Sequence, residues 1–189
     1  FDGTAELHDE EEAFAPLGVY GQSKAAGDIA VANCPRHYIL RSSWVIGEGH
    51  NFVKTMMMLS NRVADPGDGL NEVTVVDDQY GRLTFTSDMA DAIFHLLDSG
   101  AGYGTYDLTG SGRVESWAGI AKAVFDLTNG NGDRVRPIPT EEYFANAKDP
   151  VSPRPTHSAL DLKKIEATGY PALDWEESLK KYVAKELAE

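Results

Sequence analysis

The sequence has little cysteine and little positive charge, and each shortage excludes a class of function. Cys34 is the single cysteine of the 189 residues, so an internal disulfide and a cysteine-based zinc site are excluded. Seventeen lysines and arginines stand against 30 acidic residues, which gives a net charge of −13. Because a strongly acidic chain repels phosphate backbones, this balance argues against nonspecific nucleic-acid binding.

Long hydrophobic runs and metal-ligand spacings are also missing. No apolar run reaches membrane-spanning length and no signal peptide is visible, so we expect a cytoplasmic protein without a membrane partner. The five histidines and the many carboxylates show no spacing typical of a metal site. Hydrophobic residues still make up 42% of the chain, which is enough to form a core at this length.

The stretch Tyr20-Gly-Gln-Ser-Lys24 is the most informative one present. A helix is predicted from about residue 17 to residue 33, ending before Pro35. Residues four apart share a helical face, so the phenol of Tyr20 and the ammonium of Lys24 can meet over one substrate. A nearby cation favours a phenolate, which suits general acid–base catalysis. By spacing alone, an ordinary solvated helix face is the alternative interpretation.

Strand and helix patterns alternate along the rest of the chain, which predicts an α/β or mixed α/β architecture. Asn51 is a good cap for a helix whose apolar positions lie on one face, and Ser116 is a cap for another helix. The predicted strands cover residues 37–45, 73–76, 103–108 and 135–138. Further helices are predicted to begin near residues 86, 161 and 174.

Six separate stretches, in this order and spacing, resemble one family. They resemble the dTDP-4-dehydrorhamnose reductases, a branch of the extended short-chain dehydrogenase/reductase superfamily. The Tyr/Lys motif is specific only to the superfamily, whereas the second and third stretches point more narrowly to the reductases. The stretches are Tyr20-Gly-Gln-Ser-Lys24, Leu40-Arg-Ser-Ser-Trp-Val45, Asn51-Phe-Val-Lys-Thr-Met56, Val76-Asp-Asp-Gln-Tyr-Gly81, Thr86-Ser-Asp-Met-Ala90 and Arg154-Pro-Thr-His-Ser-Ala-Leu-Asp161.

The resemblance implies reduction at C4 of a dTDP-linked 4-keto-6-deoxy sugar, with dTDP-L-rhamnose as the product. NADPH or NADH would supply the hydride. Tyr20 would donate a proton to the developing alkoxide. Lys24 would favour the phenolate and hold the nicotinamide ribose, and Ser43 would be a further cofactor-binding residue.

The same resemblance assigns the substrate side of the site. Trp44 would lie against the sugar, Asn51 and Phe52 would sit at the nucleotide-sugar site, and Arg154 would pair with phosphate oxygens. Each has a structural alternative: a core aromatic for Trp44, a helix cap for Asn51 and a surface charge for Arg154. Arg41 lies inside an apolar strand and is interpreted first as half of a structural ion pair.

The resemblance also implies a fold: a partial Rossmann-type sheet of late strands with a small mixed α/β substrate-binding lobe. Residues 1–50 and 73–98 would form the C-terminal portion of the Rossmann-type domain with the catalytic helix. Residues 51–72 and 99–189 would form mainly the substrate lobe and the C-terminal helices. An exposed sheet edge and apolar surface would favour a homodimer. A Mg²⁺ ion, used by some relatives, is left open without support from any residue.

Two departures from the family pattern stand out. No glycine-rich dinucleotide fingerprint is present, so we expect the chain to be the C-terminal part of a longer reductase, with most of the cofactor site elsewhere. The alternative is a standalone protein that has lost cofactor binding. Arg82-Leu83 replaces the small residue and proline that relatives more often carry, which leaves the shape of that loop open. The alternative functions are a nucleotide-sugar epimerase or dehydratase of the same superfamily, and a noncatalytic regulatory subunit on this fold.

Overall fold

Helices and short strands alternate along residues 1–188, which a computed structural model describes. The predicted mixed α/β class is confirmed. The helices are α1 (Val19–Ala32), α2 (Phe52–Ala64), α3 (Thr86–Asp98), α4 (Trp117–Asn129), α5 (Thr140–Tyr143), α6 (Lys163–Glu166) and α7 (Trp175–Ala188). The strands are β1 (Tyr38–Arg41), β2 (Val45–Ile46), β3 (Val73–Val76), β4 (Tyr80–Gly81), β5 (Thr84–Phe85), β6 (Gly104–Asp107), β7 (Glu115–Ser116) and β8 (Val135–Ile138).

The strands pair in twos, mostly in parallel. β1 lies parallel to β6, β2 to β5 and β3 to β8, whereas β4 and β7 are antiparallel. Parallel partners need a long crossover connection, and the intervening helices provide it. The single strand predicted over residues 37–45 is wrong in one respect, because Trp44 has a left-handed backbone with φ of 50°. That conformation cannot continue a strand, so the segment divides into β1 and β2.

Two hydrophobic clusters form the core. The larger packs α2, α4 and α7 against the β3–β8 pair, and it buries Phe125 and Trp175 completely. The smaller packs α3 and α6 against β6, and it buries Leu96 and Ile165. Each fully buried side chain of this size contributes about 1.5–3 kcal/mol. The division into a sheet portion and a substrate lobe stays a prediction.

Helix α1, which carries Tyr20 and Lys24, lies on the outside of both clusters. None of its residues is buried, and the apolar side chains of Val19 and Ile29 are mostly exposed. Its N-cap residue Gly18 offers no side-chain cap, and the helix ends at Ala32 with Asn33 as C-cap, close before Pro35. Burial therefore stabilises α1 very little, and its position depends on specific polar contacts.

Arg41 supplies those contacts from the end of β1. Its Nε donates to Asp28 Oδ2 of α1 at 2.7 Å, and its Nη1 donates to the Glu10 backbone oxygen at 3.3 Å. The guanidinium also lies over the rings of Phe1 and Phe14, 5.8 and 5.0 Å from their centroids. The predicted structural ion pair of Arg41 is confirmed, and it joins the N-terminal segment, α1 and the strand pair.

Asp107, the register partner of Arg41, is a buried carboxyl at the end of β6. Neither of its oxygens has a hydrogen-bond partner within residues 1–188, while its backbone N–H donates to Glu10 Oε1 at 2.8 Å. Burial raises the pKa of Asp107 to about 8; the charges of Glu10 and Asp9 add to the rise, while Arg41 and Lys164 oppose it.

We expect Asp107→Asn to stabilise the protein near pH 8 and to change its stability little near pH 4. The folded state keeps the Asp107 proton up to about pH 8, whereas the unfolded carboxyl releases it near its ordinary pKa of 3.8. The folded state therefore binds more protons between these values, and its stability falls as the pH rises through that window. The neutral amide removes this dependence. Urea unfolding at both pH values measures the difference.

The matched control is Asp133→Asn, which removes the same charge from an exposed side chain. It should leave the pH dependence of the unfolding free energy unchanged. If Asp107→Asn and Asp133→Asn change the pH dependence of the unfolding free energy alike, Asp107 is not a buried neutral carboxyl.

Candidate functional site

The Tyr20 and Lys24 side chains come together on the exposed surface of α1. The Lys24 Nζ lies over the phenol ring, 5.4 Å from its centroid, as the four-residue spacing predicts. Tyr20 is 75% exposed, and no group within residues 1–188 forms a hydrogen bond with its hydroxyl. The phenol is therefore held beside a cation and is open to a ligand.

The open pair fits one end of a nicotinamide dinucleotide. Lys24 offers N–H donors to a ribose, and the Tyr20 hydroxyl can donate to a reacting oxygen. The chain has no G-x-G-x-x-G sequence, so the usual backbone cradle for a pyrophosphate is not formed by these residues. These residues fit the nicotinamide ribose of such a cofactor and do not provide its usual phosphate site.

Trp44 and Phe52 lie in one aromatic cluster with Trp117, the first residue of α4. The rings of Trp44 and Trp117 stack with centroids 3.8 Å apart and planes 19° from parallel. Phe52 packs at a tilt on Trp117, 4.5 Å between centroids. All three side chains are only partly buried at the margin of the larger core. The structure thus brings two predicted substrate residues together around a third, unpredicted one.

Asn51 caps α2 and fixes the loop before it. Its Oδ1 accepts from the Lys54 backbone N–H at 3.1 Å, which confirms the predicted cap. Its Nδ2 donates to the Gly47 oxygen and to the Tyr182 hydroxyl, both at 2.8 Å. Tyr182 in turn donates to the Gly47 oxygen at 2.7 Å. The amide is fully engaged in structure, and its contact with a ligand stays a prediction.

The Ser43 hydroxyl donates to the backbone oxygen of Ser158 at 2.8 Å. The Ser43 backbone oxygen accepts from Thr84 Oγ1 at 2.6 Å. Ser43 therefore connects the segment after β1 to β5 and to the chain that follows Arg154. A cofactor could reach only the remaining acceptor capacity of this hydroxyl, because its proton is already donated.

Arg154 is exposed and has no polar partner within residues 1–188. The segment just after it is fixed: Tyr80 N–H donates to the Thr156 oxygen at 2.7 Å, and Ser158 N–H donates to the Tyr80 oxygen at 2.8 Å. The His157 ring stacks on Tyr80, and its Nδ1 is buried without a hydrogen bond. The free guanidinium therefore projects from a loop whose far end is anchored.

The Arg82-Leu83 departure is accommodated at the start of β5. Leu83 is completely buried, and Arg82 Nη1 donates to the Leu160 oxygen at 3.2 Å. Burial lowers the pKa of Arg82, opposed by the charge of nearby carboxylates, Asp161 above all. The arginine thus holds the chain that follows the Arg154 loop against β4 and β5.

Three further residues shape the site without having been predicted to do so. Gly81 lies against the Trp44 ring, Trp117 stacks on it, and Tyr182 supports Asn51. Gly81 lies in one of the six stretches that resemble the family, and Trp117 follows Ser116, the predicted helix cap. The packing of one stretch against another is what assigns them to the site.

Metal and membrane features are not found in the described part of the chain. Residues 1–188 contain no group of three or more His, Cys, Asp or Glu side chains placed to hold a metal ion. No helix in the same range has the length and apolar character needed to cross a bilayer.

Comparison with known proteins gives consistent matches. A family model described as the RmlD substrate binding domain matches residues 1–188. A dTDP-4-dehydrorhamnose reductase of Sinorhizobium fredii is 39% identical over 196 residues, covering 97% of this chain and 62% of that relative.

Two solved dTDP-4-dehydrorhamnose reductases have closely similar folds. The one from Clostridium acetobutylicum gives a TM-score of 0.84 at 35% identity, over 97% of this chain and 61% of its own. The one from Bacillus anthracis, in complex with NADP, gives a TM-score of 0.82 at 32% identity, over 98% of this chain and 62% of its own. The chain thus spans about three fifths of the length of these relatives.

We expect Asn51→Ala to lower the free energy of unfolding by about 2 kcal/mol. It removes the α2 cap, worth about 1 kcal/mol, and the donors to Gly47 and Tyr182, worth a similar amount. Asn51→Asp keeps the accepting oxygen of the cap and should lose only about half as much. Chemical denaturation measures both, with the exposed-loop variant Asn71→Ala as control. Unchanged unfolding free energies would mean that Asn51 has no structural role.

Proposed function

We propose, from the premise that this chain belongs to the RmlD substrate binding domain family, that it is the substrate-binding and proton-donating part of a dTDP-4-dehydrorhamnose reductase. The reaction is the reduction of the C4 ketone of a dTDP-4-keto-6-deoxy sugar to dTDP-L-rhamnose. In this proposal residues 1–50 and 73–98 belong to the cofactor-side domain. Residues 51–72 and 99–189 form mainly the substrate lobe and the C-terminal helices.

The observation that carries the proposal is the geometry of Tyr20 and Lys24. The ammonium lies over the phenol ring, and the phenol has no other partner within residues 1–188. A proton donor must come within hydrogen-bond reach of the reacting oxygen, and an exposed hydroxyl without a protein partner can do so. The reductase names of the similar proteins support the same chemistry.

The chemistry at this pair is a proton transfer. A reduced nicotinamide cofactor, NADPH or NADH, supplies the hydride for C4 when it is bound. Tyr20 donates its hydroxyl proton to the C4 oxygen as negative charge develops there, so the carbonyl becomes a secondary alcohol. Lys24 stabilises the phenolate that remains and donates hydrogen bonds to the nicotinamide ribose. Ser43 adds a hydroxyl on the cofactor side.

The substrate side is formed by the aromatic cluster and by the Arg154 loop. Trp44 and Phe52 border the sugar nucleotide, and Asn51 keeps the first turn of α2 in place beside them. Arg154, which has no protein partner in the described chain, pairs with diphosphate oxygens through its planar guanidinium. A homodimer and a cytoplasmic location belong to the same proposal.

Two other functions use the same scaffold. A nucleotide-sugar epimerase or dehydratase needs a different acid or base near the sugar, and a noncatalytic subunit does not need the Tyr20–Lys24 pair. Four of the similar reductases are 32–39% identical to this chain, whereas the similar epimerases and the dehydratase are 15–21% identical. The reductase is therefore the function that these observations favour.

We expect Tyr20→Phe in the full-length protein to lower the rate by about 10²-fold or more with little change in melting temperature. The hydroxyl forms no hydrogen bond with residues 1–188, so its loss removes the proposed proton donor without removing a protein hydrogen bond. Steady-state oxidation of NADPH and thermal unfolding measure the two effects. Tyr103→Phe, at another exposed tyrosine, is the control and should keep full activity. Normal turnover by Tyr20→Phe would refute the assignment.

We further expect that the 189 residues alone do not turn over substrate. They hold the Tyr20–Lys24 pair but no glycine-rich phosphate turn, so dinucleotide binding should be weak. The purified chain, mixed with the 4-keto sugar and NADPH, should show no loss of absorbance from the reduced cofactor. Detectable oxidation that depends on the sugar would contradict this expectation.

A further inference from the structure

Trp44 is held in a conformation that its own backbone does not favour. It is the one non-glycine residue within 1–188 with positive φ, at 50°. The left-handed region is unfavourable for a bulky L-residue and persists only where the surroundings determine it. Such positions cluster at ligand sites, so the strained backbone of Trp44 and the contacts that hold it point to a ligand-binding role.

Gly81 covers one face of the Trp44 indole. A Cβ built on Gly81 would lie 2.8, 2.9 and 3.0 Å from the indole Cε2, Cζ2 and Cδ2. These three atoms are consecutive in the ring, so a point almost equally distant from all of them lies above the ring plane and not at its edge. Only glycine allows the backbone of β4 to approach the indole this closely.

Trp117 covers the opposite face. Its ring lies 3.8 Å from that of Trp44 and 19° from parallel. The Trp117 ring cannot lie on the same face as Gly81. There, one of its atoms would be among the three nearest to a Cβ built on Gly81, but all three of those atoms belong to Trp44. Both faces of the Trp44 indole are therefore occupied by protein, and a sugar ring cannot stack on either.

The edge of Trp44 remains available, and it carries the indole N–H. This group forms no hydrogen bond with residues 1–188 and is not among the buried unpaired polar atoms. Trp175 provides the contrast, because its indole N–H donates to the Arg113 oxygen at 2.8 Å in the closed core. An indole nitrogen can only donate, so its partner must be an oxygen or another acceptor.

Trp117 is itself firmly anchored. Ser116 caps α4 by accepting from the Gly119 N–H at 3.1 Å, and its hydroxyl donates to Asp77 Oδ1 at 2.6 Å. Phe52 packs on the side of Trp117, and the residue after Trp117, Ala118, is fully buried. The first turn of α4 thus sets the plane of the Trp117 ring, and the stacking transmits that plane to Trp44.

We propose that Trp117 is a positioning residue that, together with Gly81, holds Trp44 edge-on, so that the Trp44 indole N–H donates to an oxygen of the bound sugar nucleotide. This inference rests on the proposed function, in which Trp44 contacts the substrate. It changes the expected contact from apolar stacking against the sugar to one directed hydrogen bond. The acceptor is a sugar or phosphate oxygen.

The test is a double-mutant cycle in the full-length protein. Trp44→Phe removes the donor and keeps a ring, while Trp117→Leu removes the stacking partner and keeps an apolar side chain. Each should raise KM for the 4-keto sugar nucleotide about tenfold, the effect of one lost hydrogen bond, with kcat within about threefold. The double variant should raise KM no further than either single variant does, because Trp117 acts only through the Trp44 donor.

The matched control is Trp175→Phe, which should lower stability and leave KM unchanged. Additive effects on KM, or an unchanged KM in Trp44→Phe or in Trp117→Leu, would overturn the proposal. Calorimetry then measures the affinity of Trp44→Phe and of Trp117→Leu for dTDP, which has no 4-keto sugar. This affinity distinguishes a phosphate oxygen from a sugar oxygen as the acceptor. A loss of affinity for dTDP assigns the donor to a phosphate oxygen, and unchanged affinity assigns it to a sugar oxygen.

A spectroscopic measurement keeps this inference separate from the proposed activity. Two indoles stacked at this distance couple excitonically and give a paired positive and negative band in circular dichroism. Trp44→Phe and Trp117→Leu should both abolish that pair of bands, and Trp175→Phe should keep it. If the wild-type protein shows the bands but does not reduce the 4-keto sugar, the proposed function fails while the stacked geometry holds. If the bands are missing from the wild-type protein, the positioning role fails by itself.

Discussion

The ion pair between Arg41 and Asp28 is the contact on which the position of the Tyr20–Lys24 pair depends. Helix α1 carries Tyr20 and Lys24 but buries none of its own side chains, so the hydrophobic effect does little to fix it. Arg41 binds Asp28 from the end of β1 and reaches the backbone of Glu10 as well. Hydrogen bonds that involve a charged group contribute about 1.5–3 kcal/mol, which is more than the exposed apolar residues of α1 can offer. The placement of Tyr20 and Lys24 therefore depends mainly on one guanidinium.

The aromatic cluster around Trp44 depends on steric fit and not on charge. Gly81 and Trp117 enclose the indole of Trp44, and Asn51 with Tyr182 fixes the turn before α2. Packed rings have few alternative arrangements, so they can orient one N–H group accurately. Arg154 differs from them, because its guanidinium has no polar partner within residues 1–188 and the segment just after it is anchored on Tyr80. In the proposed function this unpaired charge suits phosphate oxygens.

Much of the local structure could be predicted from the sequence. The caps at Asn51 and Ser116 are confirmed, because capping depends on residues within one helical turn. The meeting of Tyr20 and Lys24 is confirmed for the same reason, since the helical period alone brings them together. The strand predicted over residues 37–45 failed at Trp44, where tertiary contacts impose a left-handed backbone that no local pattern signals. The roles of the other site residues stay predictions.

The sequence by itself determined the mixed α/β class, the helical Tyr20–Lys24 pair and the ion-pair role of Arg41. Each of these follows from periodicity, or from the cost of burying a charge within one short segment. Only the tertiary structure decided that Asp28 is the partner of Arg41 and that Gly81 and Trp117 enclose Trp44. It also decided that the buried carboxyl of Asp107 has no hydrogen-bond partner within residues 1–188. These contacts join segments far apart in the chain, and their geometry depends on how helices and strands pack, which composition and spacing do not specify.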